Sequence, residues 1–245
     1  MSPRLARQGA EPLHAQVADY VREKVYSRQW GVDEPIPSEH ELAAMLGLSR
    51  GTVKKGVRTL VDEGLLVQQP GRGTFVTKPV MARSASGLLL SFAEAMGEQG
   101  IEHQTSVVTQ EVRAASALCA RRLQIAEGDE YLYLERVRSV SGRPVMYIES
   151  HLNLQSCPGL QEADFTRESV FVAVERTTGQ SIGRSEVAYS ARVAGTRRGS
   201  LLNCDEHAPV LQMEQLVHLA DGTPFEWGSV WLPANRCVIT GEASR

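Results

Sequence analysis

The sequence predicts an α+β protein in two parts, a small helical domain closed by a β-hairpin and a larger domain built on a mainly antiparallel sheet. Three observations predict it. Residues 13 to 63 carry three helix-period apolar stripes punctuated by glycines, residues 65 to 77 read as two short strands around PGRG, and beyond about position 105 the pattern changes to two-residue alternation.

In order, Leu13, Val17, Tyr20, Val21 and Val25 give the first amphipathic helix. PIPSEHELAAMLG follows, with Ser38 as N-cap, Glu41 completing a capping box and Gly47 as stop. Ser49 then caps a third helix, whose inner face is Val53, Val57, Leu60 and Val61 and whose end is Gly64. Two short helices joined by a brief glycine turn form a helix-turn-helix, and LLVQQ-PGRG-TFVT adds a hairpin, so residues 10–77 read as a winged helix-turn-helix domain. Residues 78–86 are of mixed polarity without period and read as a linker.

The second domain, 87–242, starts with a helix near 87 to 100. Alternating runs follow at about 105–113, 131–140, 144–152, 182–193, 209–219 and 224–232, with turns SGR and DGT and shorter helical patterns near 115–124, 168–179 and 196–202. This predicts an antiparallel sheet with helices on one face.

With its apolar seam inward, the third helix turns Arg50, Gly51, Thr52, Lys54, Lys55 and Arg58 outward. The N-terminal residues of such a helix reach base edges in a major groove, and Arg suits the O6/N7 pair of guanine. Lys54, Lys55 and Arg58 fit phosphates, as do Ser38 and Ser49 at their helix N-termini. At the hairpin tip Gly71 and Gly73 permit a tight turn, and Arg72 can enter a narrow minor groove. The partner this implies is double-stranded DNA. The net charge of −3 is split unevenly, with 11 Lys/Arg against 9 Asp/Glu in residues 1–78 and 15 against 20 in the remainder.

The other totals mostly exclude. No apolar leader or membrane-length run is found, so a cytoplasmic protein is expected. Cys119, Cys157, Cys204 and Cys237 have neither disulfide-framework nor metal-ligand spacing, and no metal or cofactor is expected.

In LYLERVRSV, alternation puts Arg136 and Arg138 on one strand face with Leu132 and Leu134. Burying guanidiniums requires partners, which internal carboxylates such as Glu149 or an anionic ligand could supply.

PSEHELAAMLGLSRGTVKKGVRTLVDEGLLVQQPGRGTFV resembles the DNA-binding domain of the GntR superfamily of bacterial transcription regulators. GLLLSF, YLYLERVRSVSGRPVMYIESHL, ESVFVAVE and DGTPFEWGSVW resemble the UTRA effector-binding domain of its HutC subfamily, a chorismate-lyase-like α+β fold. Two departures concern the DNA face: His40, also among the DNA-facing positions, stands where arginine is common, and Lys54-Lys55-Gly56 replaces the usual Arg-Gln-Ala. The resemblance implies a homodimeric repressor on a palindromic operator, controlled by a small anion such as a phosphorylated sugar. It implies Ser91, Phe92, Arg136 and Arg138 for the anionic end, and Glu149, Ser169, Phe171, Glu226 and Trp231 for the remainder. FEWGSVW is one residue shorter between glutamate and aromatic than the family pattern, and Trp231 is placed on that shorter spacing. An alternative function is a lyase-like enzyme using these carboxylates for acid/base chemistry.

Overall fold

In a computed structural model the chain divides into two compact units, Met1–Pro79 and Val80–Arg245. The structure describes residues 12–77, 80–84 and 92–241.

The first unit contains helices α1 (Leu13–Tyr26), α2 (Glu39–Leu46) and α3 (Arg50–Glu63) and strands β1 (Leu66–Gln69) and β2 (Gly73–Val76). Its core joins Val17 and Val21 of α1, Leu42 and Leu46 of α2, and Val53, Val57 and Leu60 of α3. The capping box at Ser38 and Glu41 starts α2, and Gly47, at φ 65°, ends it. Ser49 Oγ accepts from the Thr52 N–H to start α3. Helices α1 and α3 pack without room to spare, because a Cβ on Gly56 would lie 2.6 Å from the carbonyl oxygen of His14. Arg22 then ties α1 to Glu63 of α3 through two contacts of 2.9 Å. Strands β1 and β2 pair antiparallel from Leu66↔Val76 to Gln69↔Gly73, forming the wing.

The second unit is built on a six-stranded antiparallel sheet. Its strands, from one edge to the other, are β4 (Gln104–Ala114), β5 (Glu130–Val140), β6 (Arg143–Asn153), β9 (Pro224–Pro233), β8 (Pro209–Leu219) and β7 (Ile182–Val193). One face carries Leu132, Leu134, Met146, Ile148 and Val230 and is covered by α4 (Phe92–Glu98) and α6 (Val170–Thr178). The opposite face carries Tyr131, Tyr133, Tyr147 and Trp231 and packs against α5 (Ala117–Leu123) and the segment of α7 (Gly195–Leu202). Helices therefore occupy both faces rather than the single face expected. Strand β5 explains why: EYLYLERVRSV is apolar at odd and even positions alike, so both of its sides are buried.

A second departure lies in the segment read as a linker. Residues Val80–Ser84 form β3, which pairs in parallel with β10 (Cys237–Gly241). The partner lies far along the chain, so no local signal announces the pairing. Among the described residues no helix is long and apolar enough to cross a membrane.

Replacing Gly56 by Ala sets two effects against each other. Better helix propensity contributes about 1 kcal/mol, whereas overpacking against a backbone atom costs roughly 1–3 kcal/mol. Because the 2.6 Å neighbour is a carbonyl and not a movable side chain, Gly56→Ala is expected to lower the urea midpoint of the first unit, as read by helix circular dichroism.

Candidate functional site

Two surfaces hold the candidate residues. On the first unit, Arg50, Lys54 and Arg58 are spaced by four along the exposed side of α3, with Lys55 beside them. Arg50, Lys54 and Lys55 make no ion pair among the described residues, whereas Arg58 Nε donates to Asp62 Oδ1 at 3.0 Å. A Cβ on Gly51 would have only Ser49 Oγ near it, at 3.9 Å, so the start of α3 is open. His40 is exposed on α2. The Ser38 hydroxyl is already committed, donating to Glu41 Oε2 at 2.7 Å, and Ser49 Oγ shares a 2.9 Å hydrogen bond with the Thr52 hydroxyl. At the wing tip Gly71 and Gly73 adopt φ of 73° and 117°, and the Arg72 guanidinium sits 5.7 Å from the Phe75 ring.

The second surface lies inside the sheet unit. Arg136 and Arg138 project from β5 onto the face covered by α4 and α6, and are 4% and 3% exposed. Arg136 Nη2 donates to Ser150 Oγ at 3.0 Å, and Ser150 in turn donates to Glu226 Oε1 at 2.6 Å. The Arg136 Nε has no hydrogen-bond partner among the described residues. Arg138 has less: its Nε meets Thr105 Oγ1 at 3.3 Å and its Nη1 meets Met146 Sδ at 3.9 Å. Burial lowers both guanidiniums, Arg136 to about 10 against the pull of Glu226, and Arg138 to about 9 with Arg136 adding repulsion. Burial also drives the Glu226 carboxyl up, opposed by Arg136 and by hydrogen bonds from Ser150 and Gln215. Among the described residues, two buried cations thus face one carboxylate.

The remaining candidates separate. Phe92, the first residue of α4, packs beside Met146 and Ile148 on the arginine face. Phe171 belongs to the core of that face, edge-on to Phe225 at 6.0 Å. Ser169 caps α6, accepting from the Val172 N–H at 3.1 Å. Ser91 lies outside the described residues.

Glu149 and Trp231 stand on the opposite face. Glu149 pairs across strands with Glu135 and accepts from the Tyr133 hydroxyl at 3.2 Å. Trp231 pairs with Tyr147, and its Nε1 donates to Ser229 while the Arg198 guanidinium lies 3.8 Å from its ring. The assignment of these two residues to the arginine site is therefore corrected. Alternation has a period of two, so a carry-over wrong by one residue lands on the wrong side. The residue that faces Arg136 from β6 is Ile148, and it pairs in turn with Val230 of β9.

That opposite face holds a cleft of about 460 Å³ lined by Glu111, Arg113, Glu135, Glu149, Arg197 and Arg198, among others. Glu135, 2% exposed, accepts from Thr109 at 2.6 Å, from Tyr147 and from Arg197 at 2.6 and 2.8 Å. Burial opposes its ionisation, but these donors hold the carboxyl below its usual range. Sequence reasoning missed Ser150, Thr105 and Glu135. Only the strand register, Thr105↔Arg138 and Thr109↔Glu135, brings these side chains to their partners.

Comparison with known proteins agrees over both units. Residues 13–76 match the model of bacterial regulatory proteins of the gntR family, and residues 98–237 match the UTRA domain. The HTH-type transcriptional repressor NagR of Bacillus subtilis is 30% identical over 220 residues, 90% of each chain. A histidine utilization repressor of Pseudomonas putida is 29% identical over 83% of this chain and 81% of its own. The crystal structure of PhnF from Mycobacterium smegmatis superposes with a TM-score of 0.64 at 24% identity, covering 93% of this chain and 99% of that one, and so shares the fold.

A buried cation without a carboxylate weakens the fold that holds it, because its desolvation is not repaid by an opposite charge. Arg138→Leu is accordingly expected to raise the urea midpoint of the unliganded protein. Ser150→Ala, which strips Arg136 of its hydrogen bond to Ser150 Oγ, is expected to lower it.

Proposed function

The chain belongs to the GntR family of bacterial regulatory proteins and carries a UTRA domain, and from that premise we propose a homodimeric repressor whose operator affinity is set by a small anion bound at Arg136 and Arg138. Regulators of this family bind DNA and small-molecule effectors, and the matched families and named relatives are transcriptional regulators, not enzymes. None of them supports the lyase-like alternative. Its two carboxylates, Glu149 and Glu226, also stand on opposite faces of the sheet and cannot flank one substrate.

The observation that carries the effector reading is Arg138, a guanidinium 3% exposed whose hydrogen-bond partners among the described residues are a threonine hydroxyl and a thioether. An unpaired buried charge of this kind calls for a counter-ion, and a phosphorylated sugar, the class the family resemblance implies, supplies one. The repressor reading draws on the two relatives, both named as repressors. The homodimer reading draws on the two-fold operators such helices read and on β7. This edge strand of 12 residues exposes Val187, Tyr189 and Val193 at 50%, 46% and 58% and needs cover.

In the proposed mechanism Arg50 to Thr52 read base edges, Lys54, Lys55, Arg58 and the helix starts at Ser38 and Ser49 hold phosphates, and Arg72 with Gly71 and Gly73 follows the minor groove. His40, exposed on α2, adds a hydrogen-bonding ring to the same face. Effector binding favours a dimer in which the two recognition helices no longer match both half-sites.

The test is operator binding by fluorescence anisotropy across a salt series. Arg50→Ala is expected to cost roughly 1–3 kcal/mol and to relax selectivity at one base pair, whereas Lys54→Ala weakens all sequences alike and lowers the salt slope by about one per copy. Unchanged affinity and selectivity in both variants would overturn the DNA-face assignment. Operator affinity that ignores every anion tried at fixed salt would overturn the effector reading.

A further inference from the structure

Set apart from the arginine face, Glu149 lines the cleft on the other side of the sheet. Trp231 underlies one wall of that cleft, because the Arg198 guanidinium lies 3.8 Å from its ring. The Arg113 guanidinium, also lining the cleft, lies 3.7 Å from the ring of Tyr133. Six charged groups border the space, Glu111, Glu135 and Glu149 with Arg113, Arg197 and Arg198. Four of them cancel in pairs: Arg113 donates to Glu111 at 2.8 Å, and Arg197 to Glu135 at 2.6 Å. One charge of each sign is left over. Glu149 accepts from the Tyr133 hydroxyl at 3.2 Å and Arg198 stacks on Trp231, but among the described residues neither makes an ion pair, with the other or with a third group.

These two are not freely solvated surface charges. Both are half-buried, and the Arg198 Nε is shielded from water with no hydrogen-bond partner among the described residues. A guanidinium stacked on a ring keeps its N–H edge for other acceptors. Its helix is also fixed in place: Arg236 donates to the Leu202 and Asn203 carbonyls at the end of α7 and to the Pro144 carbonyl at 3.1 Å, and a Cβ on Gly199 would lie 2.9 Å from the Cys204 carbonyl oxygen. Glu149 stands within β6, paired on both sides, with Glu135 and with Ser229. A carboxylate has room for about four donors, and the Tyr133 hydroxyl takes one place. Both charges are thus held ready before any ligand arrives, which lowers the ordering cost of binding.

The cleft, at about 460 Å³, has the size of a small-molecule site. A dianion in it would meet Glu149, a dication would meet Arg198, and an apolar molecule would leave both without a counter-charge. A molecule with one charge of each sign matches both. We infer that this cleft is a second ligand site, separate from the arginine pair on the other face, and that it takes a free amino acid, with the ammonium at Glu149 and the carboxylate at Arg198. The inference holds whatever binds at Arg136 and Arg138.

The full-length protein is titrated calorimetrically with each of the twenty amino acids, in a buffer free of them. Any amino acid that binds is then compared with the acid that lacks its amino group and the amine that lacks its carboxylate. At least one amino acid is expected to bind, and each truncated analogue to bind about 10- to 100-fold more weakly, the size of a lost charge-assisted hydrogen bond. Glu149→Gln is expected to erase the preference for the amino acid over the deaminated acid, and Arg198→Gln the preference over the decarboxylated amine. A general loss of folding would not divide the two preferences in this way. Binding by none of the twenty, a deaminated acid as tight as its amino acid, or both preferences intact in the variants would overturn the inference. Each of these outcomes leaves the effector reading at Arg136 and Arg138 standing, since those residues lie on the opposite face.

Discussion

Successive side chains of a strand stand on opposite sides of its sheet, and in the second unit this alternation decides which residues can act together. Strand β5 places Leu132, Leu134, Arg136 and Arg138 on one side and Tyr131, Tyr133, Glu135 and Val137 on the other. Every cross-strand partner inherits its side from that assignment. Ile148 comes to Arg136, Ser150 to Glu226, and Glu149 goes to Tyr133. The ligand chemistry of the unit is therefore a matter of register first and of residue type second.

The two sides are also electrostatically unlike. Behind β5, Glu135 is saturated with donors from Thr109, Tyr147 and Arg197, a network in which a buried charge is matched and satisfied. In front, among the described residues, Arg136 keeps an unpartnered Nε, and Arg138 makes do with weak acceptors. The same strand thus carries a completed ionic cluster on one side and an incomplete one on the other, with adjacent residues 135 and 136 marking the change. A complete cluster fixes structure. An incomplete one costs folding free energy unless something else supplies the missing charge.

The architecture was legible in the sequence wherever the signal was local. The capping box at Ser38 and Glu41, the stops at Gly47 and Gly64 and the turn at Gly71 to Gly73 lie where the sequence places them, because each rests on backbone geometry within a few residues. The long alternating runs became the six sheet strands for the same reason. Less was legible of the pairing between Val80–Ser84 and Cys237–Gly241, which depends on residues more than 150 positions apart, and of the covering of both sheet faces. The site was half legible. Arg136 and Arg138 share a face as their spacing suggests, and Glu226, which only the family resemblance brings in, meets Arg136 through Ser150, whereas Glu149 and Trp231 miss by one residue each, and with period-two alternation one residue is the whole difference. Thr105 and Ser150 could not be found without the register, since an isolated serine or threonine in a strand announces nothing.

Several polar and charged groups of the first unit are engaged within it. Arg58 is engaged with Asp62, Arg22 with Glu63, and the Ser38 hydroxyl with Glu41. Of the candidate DNA contacts, Arg50, Lys54, Lys55 and Arg72 are the cations that carry no ion pair among the described residues. Affinity for a duplex grows with the number of phosphates neutralised, so one such surface holds a half-site only weakly at physiological salt. Two surfaces joined in one molecule gain by effective concentration, provided both can reach the same duplex. Control of such a protein requires no change within α3, whose core of Val53, Val57 and Leu60 and packing at Gly56 leave little room for one. In the proposed homodimer it requires only a change in whether two intact recognition helices can engage together, which is the kind of change a ligand bound in a separate unit can produce.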